Sequence, residues 1–366
     1  MQDRFQKDAA YAANNPAHFT PLIEIDRYAT RTTHFDKIIS ATHDHFWDPL
    51  DTDYVDYSQP FDMENKMLVK PDVFALELRI PAIADRLDEK QKIKFVNESL
   101  RWTLSNILHG EQGALSLSAS LCHVLKDPGA QEYAANQARE EGRHVTAFAR
   151  YIEARWGEPL PASDTLARVL DSVVTSDVVY EKIVGMQMLI EGLAMGAFAM
   201  VFADTHDPLL KNMIQLVMTD EAFHHKFGKI WADKTMPHLS KREQEKVEDW
   251  SADIFQDLLL NLVSPSQKRV VYKSVGLDWR WVQRTMLREL NQSELLMEEM
   301  KKDNNVFRVL VKTLLNAGII TDRTRHIYAQ WVDMDELKAE GDEMVGDAIA
   351  EEGIKRLEKI NFAKAA

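Results

Sequence analysis

From about residue 91 onward, apolar residues recur every three or four positions in four long runs, roughly 91–125, 128–156, 173–205 and 208–234. That period belongs to helices. Asp127-Pro128 and Asp207-Pro208 open the second and fourth runs. The aspartate can cap free N–H groups of a first turn, and proline suits the first helical position because its missing donor costs nothing there. Gly157 to Ser163, with Pro159 and Pro161, predicts a linker. Further amphipathic helices are predicted from about 240 to 366, with breaks near Pro265, Gly276 and Gly318. Before residue 90 the pattern is irregular, with prolines at 16, 21, 49, 60, 71 and 81 and aromatics around Phe46-Trp47 and from Tyr54 to Phe61. The expectation is an all-α protein built as one compact unit. An N-terminal extension (1–90) and a C-terminal helical extension (236–366) pack on a central bundle (91–235).

The third run poses a chemical problem. Ile183 to Ala203 is almost wholly apolar, long enough to cross a membrane, and carries Glu191 near its middle. A carboxylate at a bilayer centre costs about 2.5–3.5 kcal/mol on insertion scales. In the core of a soluble bundle it is also costly unless something compensates it.

An internal repeat supplies the compensation. At an offset of 80 residues, Glu111 matches Glu191, Asp127-Pro128 matches Asp207-Pro208, Glu140-Glu141 matches Asp220-Glu221, and His144 matches His224. Each half reads as a helical hairpin. Glu111 to Asp127 climbs about 24 Å, and Pro128 to Glu141 returns about 20 Å, at 1.5 Å per residue. Glu141 therefore comes back to the level of Glu111, with His144 three residues on and on the same face. The second hairpin repeats this with Glu191, Glu221 and His224. Packed face to face, the two hairpins put four carboxylates and two imidazoles at one height. Four carboxylates neutralise two divalent cations, and oxygen donors with one imidazole per ion suit iron or manganese.

Composition narrows the function classes. The formal net charge is −14, which argues against nucleic acid or an anionic membrane as partner. A single cysteine, Cys122, excludes a disulfide framework and a thiolate metal cluster. With 14 Gly, 12 Pro and 15 Met in 366 residues, a turn-rich β protein is disfavoured. No glycine-rich phosphate loop, zinc finger or nucleophile elbow is found. Met1 to Asp8 lacks an apolar stretch of the secretory kind, so a cytoplasmic location is expected.

Residues 111–224 resemble the ferritin-like di-iron carboxylate superfamily on Glu111, Glu141-Gly142-Arg143-His144, Glu191 and Glu221-Ala222-Phe223-His224. The resemblance implies a ferritin-like four-helix bundle around two iron ions, as Fe/Fe or Mn/Fe, with those six residues as ligands. It also implies that Asp220 orients His144 and Glu140 orients His224 across a pseudo-twofold axis. His225 points elsewhere on its helix, and His109 and His123 read as structural. One turn from the ligands, Ile107, Ala114, Leu115, Phe148, Gln187, Ala194, Met195, Val217 and Phe227 are expected to line a mostly apolar substrate pocket, with Gln137 and Gln187 its polar members.

The long flanking segments favour an enzyme subunit over a storage ferritin. The oxygenase branch is the expectation, similar to bacterial multicomponent monooxygenases, CoA-ester epoxidases and acyl-carrier desaturases. It would use O2 to hydroxylate, epoxidise or desaturate a small-molecule or acyl substrate. Electrons would come from a separate reductase or ferredoxin, since no flavin or nicotinamide motif is present, and a homodimer is expected. Two alternatives stay open: a ferritin-like iron-binding or peroxide-detoxifying protein, and a radical protein like the ribonucleotide reductase small subunit. Phe148 stands where the latter family usually has its radical tyrosine, and Ala194 and Met195 stand where many monooxygenases and desaturases have threonine.

Overall fold

A computed structural model describes residues 6–13, 20–262, 264–290, 306–341, 344 and 346–365. Among the described residues the fold is all-α, and its one β feature is an isolated bridge between Val69 and Thr205. Four long helices form the centre: α2 (Glu89–Val124), α3 (Pro128–Trp156), α5 (Val179–Asp204) and α6 (Pro208–Thr235). Before them come a shorter helix, α1 (Asp36–Asp44), and several single turns. A crossing helix, α4 (Asp164–Thr175), links α3 to α5. Around them lie α7 (Lys241–Leu262), α8 (Val306–Asn316) and α9 (Asp347–Ala365).

The two aspartate caps read from the sequence set the hairpin turns, and a third cap opens α2. Asp88 and Gln91 form a reciprocal capping box at the start of α2. The Asp127 carboxylate accepts from Gly129 N at 2.9 Å and from the Thr32 hydroxyl at 2.6 Å, fixing the α2–α3 turn to the N-terminal segment. Asp207 accepts from Leu209 N at 3.0 Å, Tyr151 Oη at 2.8 Å and Arg155 Nε at 2.9 Å. This last set joins the C-terminal end of α3 to the turn that follows α5. At the opposite end, Lys182, near the start of α5, donates to Ser120 Oγ on α2 at 3.0 Å. So α3 and α5 run parallel, and each hairpin is antiparallel within itself.

The parallel arrangement requires a crossover, which α4 supplies. The sequence pattern reads a continuous third run over 173–205, but the chain breaks after Thr175 and restarts at Val179. Ser163 caps α4, accepting from Leu166 N at 3.3 Å. At the break the backbone of Ser176 is extended (ψ 140°), its hydroxyl accepts from Val178 N at 3.0 Å, and the same hydroxyl donates to Glu181. Within α5, Ile183–Ile190 is π-helical and regular α-helix resumes at Glu191. Such wide turns inside α-helices are frequent at functional sites.

By length and composition α5 could span a membrane, yet its Ile183–Glu191 segment is entirely buried among other helices. Close approach is achieved with glycine. A Cβ on Gly185 would come within 2.8 Å of Val173 and of Trp250, and one on Gly192 within 3.2 Å of Leu310 on α8. The apolar core falls into two clusters. One contains Ala114, Leu117, Tyr133, Val184 and Phe227; the other contains Leu108, Phe148, Met195, Phe198 and Val217. Between them lies a layer of ionisable side chains.

Candidate metal centre

The layer is built by one short stretch from each long helix. Glu111 comes from α2, Glu141 and His144 from α3, Glu191 from α5, and Glu221 and His224 from α6, and all six are buried. They fall into two groups whose ligand atoms lie within 4.8 Å of one another: Glu111, Glu141, His144 and Glu221, and Glu141, Glu191, Glu221 and His224. Glu141 and Glu221 belong to both. Glu141 offers Oε2 to His144 Nδ1 at 3.3 Å and Oε1 to His224 Nδ1 at 3.1 Å. Glu221 does the same with Oε1 at 3.0 Å and Oε2 at 3.2 Å. Glu111 Oε2 lies 3.4 Å from His144 Nδ1. The structure thus brings all six sequence-derived candidates together.

Several of these atoms face one another at ion-pair distance without an aligned hydrogen bond. Among the described residues, His144 Nδ1, Glu111 Oε1, Glu141 Oε2 and Glu221 Oε1 are buried and have no hydrogen-bond partner. Convergent, unpaired donors of this type suit a pair of hard divalent ions. The electrostatics carry the same strain. Burial pushes Glu111 and Glu191 well above the usual carboxylate range. Burial opposes a charge on Glu141 too, but His224 and His144 hold that group well below it. Burial also opposes a charge on each imidazole, but Asp220 and the nearby ligand carboxylates outweigh it at His144, as does the field of Glu141 and Glu221 at His224. Both rings are held well above their usual pKa.

The far nitrogen of each ring is also engaged. His144 Nε2 lies 2.9 Å from Asp220 Oδ2, and His224 Nε2 lies 2.9 Å from Glu140 Oε2. Each carboxylate comes from the opposite hairpin. Asp220 gathers more partners than the sequence suggests: Arg143 donates through Nε at 2.9 Å and Nη2 at 2.5 Å, and the buried Trp47 indole donates at 2.8 Å. Trp47 also stacks on the His144 ring, with centroids 6.1 Å apart and planes at 18°. Sequence reasoning misses Trp47 because it lies in a non-periodic segment that only the tertiary fold brings to α6. The aromatic cluster at 46–47 is its one local signal.

The chain is similar to a solved R2-like ligand-binding oxidase with aerobically reconstituted Mn/Fe cofactor. The two are 14% identical over 76% of this chain and 96% of that one, with a TM-score of 0.39. No protein-family model and no curated protein matches the chain.

The two sides of the layer differ. Toward the α3–α4 end the side chains are apolar: Phe148 stacks on Phe198 at 5.8 Å, and Leu108, Met195 and Val217 are buried beside them. Of the expected pocket residues, Ala114, Phe148, Gln187, Met195, Val217 and Phe227 are buried, whereas Ile107, Leu115 and Ala194 are half-buried on the flanks. A helical turn is 3.6 residues, so positions three and four along fall on opposite sides of the ligand's own direction. On α5 it is Met195 that is buried, and on α2 it is Ala114. Met195 also walls a cavity of about 200 Å³ with Met188, Ala222 and Met344, rimmed by His225, Lys226 and Lys229.

Toward the α2–α3 turn the picture is polar. Gln137 Nε2 donates to Glu141 Oε1 at 2.9 Å and approaches Glu191 Oε1 at 3.4 Å. Among the described residues Gln137 Oε1, both polar atoms of Gln187, Tyr133 Oη and Ser118 Oγ are buried without a partner. Each such group costs about 1–3 kcal/mol if left unpaired.

Proposed function

We propose that this chain is an oxidoreductase with a di-metal carboxylate centre that uses O2 to oxidise a mostly apolar substrate. The observation that carries the reading is the pair of buried carboxylates, Glu141 and Glu221, each offering one oxygen to each histidine. Glu111 and His144 would complete the holding of one ion, and Glu191 and His224 the other. A bound pair of redox-active first-row ions, iron or Mn/Fe, supplies O2 activation when two electrons arrive from a separate reductase or ferredoxin.

The protein's own groups prepare that site. Asp220 and Glu140 fix the Nε2 side of each imidazole, which leaves Nδ1 facing the carboxylates and raises its basicity. Phe148, Phe198, Met195 and Val217 exclude water from one side, which protects a strong oxidant from quenching. Phe148 puts a benzene ring, packed on Phe198, where the reductase-like alternative usually has its radical tyrosine.

The test is metal content together with single-turnover O2 reaction of the reduced protein. The expected result is two ions per chain, O2 consumption that accelerates with an apolar acyl or aromatic compound, and an oxygenated or desaturated product. A Met195→Trp substitution should abolish that acceleration and leave the ions in place. Tens of Fe²⁺ oxidised per chain into a mineral, with no effect of any apolar compound, would assign the chain to iron storage instead.

A further inference from the structure

Gln187 sits in the π-helical turn of α5, four residues before Glu191, and is fully buried with neither amide atom partnered among the described residues. Gln137 stands four residues before Glu141 on α3. Because α3 and α5 run parallel, both amides lie on the same side of the metal layer. The Gln137 NH2 group is committed to Glu141 and Glu191, so its carbonyl oxygen faces away from them. Gln187 is pinned at this level by α6, where a Cβ on Gly228 would come within 2.9 Å of the Gln187 Cβ. One turn further along α3, Tyr133 stacks on Phe227 at 4.8 Å and its buried hydroxyl is unpartnered too.

We propose that Gln187, Gln137 and Tyr133 line a subsite beside the metal layer that binds a small uncharged hydroxylic ligand, either water or the alcohol group of a substrate. The chemistry of the three groups selects it. They offer acceptors in two amide carbonyls and donors in one amide NH2 and one phenol. A hydroxyl, which donates and accepts, satisfies both kinds. An anion finds no cationic side chain in this set and meets the field of Glu141 and Glu191. An alkyl group would leave both atoms of the Gln187 amide and the Gln137 carbonyl unpaired. This inference deepens the metal-centre reading and takes its place in the molecule from it, but it concerns a different side from the Phe148 wall.

Replacing Gln187 separates the cases by sign. A buried amide with no ligand is a liability, so Leu or Met in its place raises stability. An amide that holds a ligand is an asset, so the same changes lower it. The expected result for Gln187→Met and Gln187→Leu in the full chain is a Tm lower by roughly 2 °C or more, with metal uptake unchanged. Titration of the full-length protein as purified with 1-octanol, against octane and octanoate as controls, identifies the source. Alcohol-selective binding weakened at least tenfold in both variants assigns a substrate hydroxyl. No alcohol binding, with ordered density on the Gln187 amide in a crystal structure, assigns water. A Tm that rises in either variant overturns the subsite, as does a fall with neither alcohol binding nor density on Gln187. Unchanged metal uptake in these variants keeps that failure distinct from failure of the metal centre itself.

Discussion

Arg143 on α3 and Phe223 on α6 hold equivalent places in the two hairpins, and the exchange of a guanidinium for a benzene ring makes the halves of the metal layer unequal. Arg143 donates twice to Asp220 and lies 3.5 Å from Glu140, whereas Phe223 stacks on His45 with centroids 5.2 Å apart. Burial opposes a charge on Asp220, but Arg143 and His144 hold its carboxyl well below the usual range. Glu140, the partner of His224, is pushed up by burial. The two ions should therefore bind with different affinities, the one beside His144 more tightly. Anaerobic titration of metal-free protein with Co²⁺ should show two phases, and His144→Ala should lower occupancy more than His224→Ala. A single phase of two equal ions would contradict this.

Glu191 belongs to one of the two ligand groups. Glu191→Ala should reduce metal content from two ions per chain to about one, read by elemental analysis after iron reconstitution. Glu191→Gln, which keeps the volume, should do the same while remaining folded. Full retention of two ions in both variants would remove Glu191 from the centre.

Metal binding should release protons. The rings of His144 and His224 and the carboxyls of Glu111 and Glu191 all have raised pKa values in the metal-free protein, and ligands must be deprotonated to bind. Lowering the pH fills these proton sites and should weaken metal uptake, whereas raising it should strengthen uptake. In weakly buffered solution a pH indicator should report acid released as metal is added. Uptake with no proton release would contradict the protonation pattern.

Trp47→Phe keeps an aromatic ring over His144 and removes the N–H that Asp220 accepts. A hydrogen bond to a charged group contributes about 1.5–3 kcal/mol, so denaturant unfolding should show a loss of that order. Asp220 keeps Arg143 and His144, so metal content should hold near two ions. An unchanged midpoint would show that the indole N–H contributes nothing measurable there.

The hairpins, their turns and the six convergent side chains were legible because each rests on local rules. Helix rise, the spacing of Glu-x-x-His, and Asp-Pro caps all act within one or two elements. The crossover helix α4 was not read, because its apolar stripe merges with the run that follows and the break is made by Ser176 turning its hydroxyl on its own neighbours. Trp47 was not assigned a role because its contact with Asp220 spans 173 residues of sequence. The pocket residues were half resolved. Spacing says which side chains lie one turn from a ligand, but helix rotation decides that Met195 rather than Ala194 is buried.

Each hairpin holds the acidic partner of the other's histidine: Asp220 serves His144 across 76 residues, and Glu140 serves His224 across 84. In kinetic terms, neither hairpin reaches a satisfied state alone. The first emerges from the ribosome with Glu111, Glu141 and His144 on its inner face and waits for residues beyond 220 before that face can close. Contacts of this separation cost loop closure before they return any energy, so docking of the hairpins is expected to follow formation of each. Until then the carboxylates and imidazoles, costly to bury, would keep the open seam hydrated.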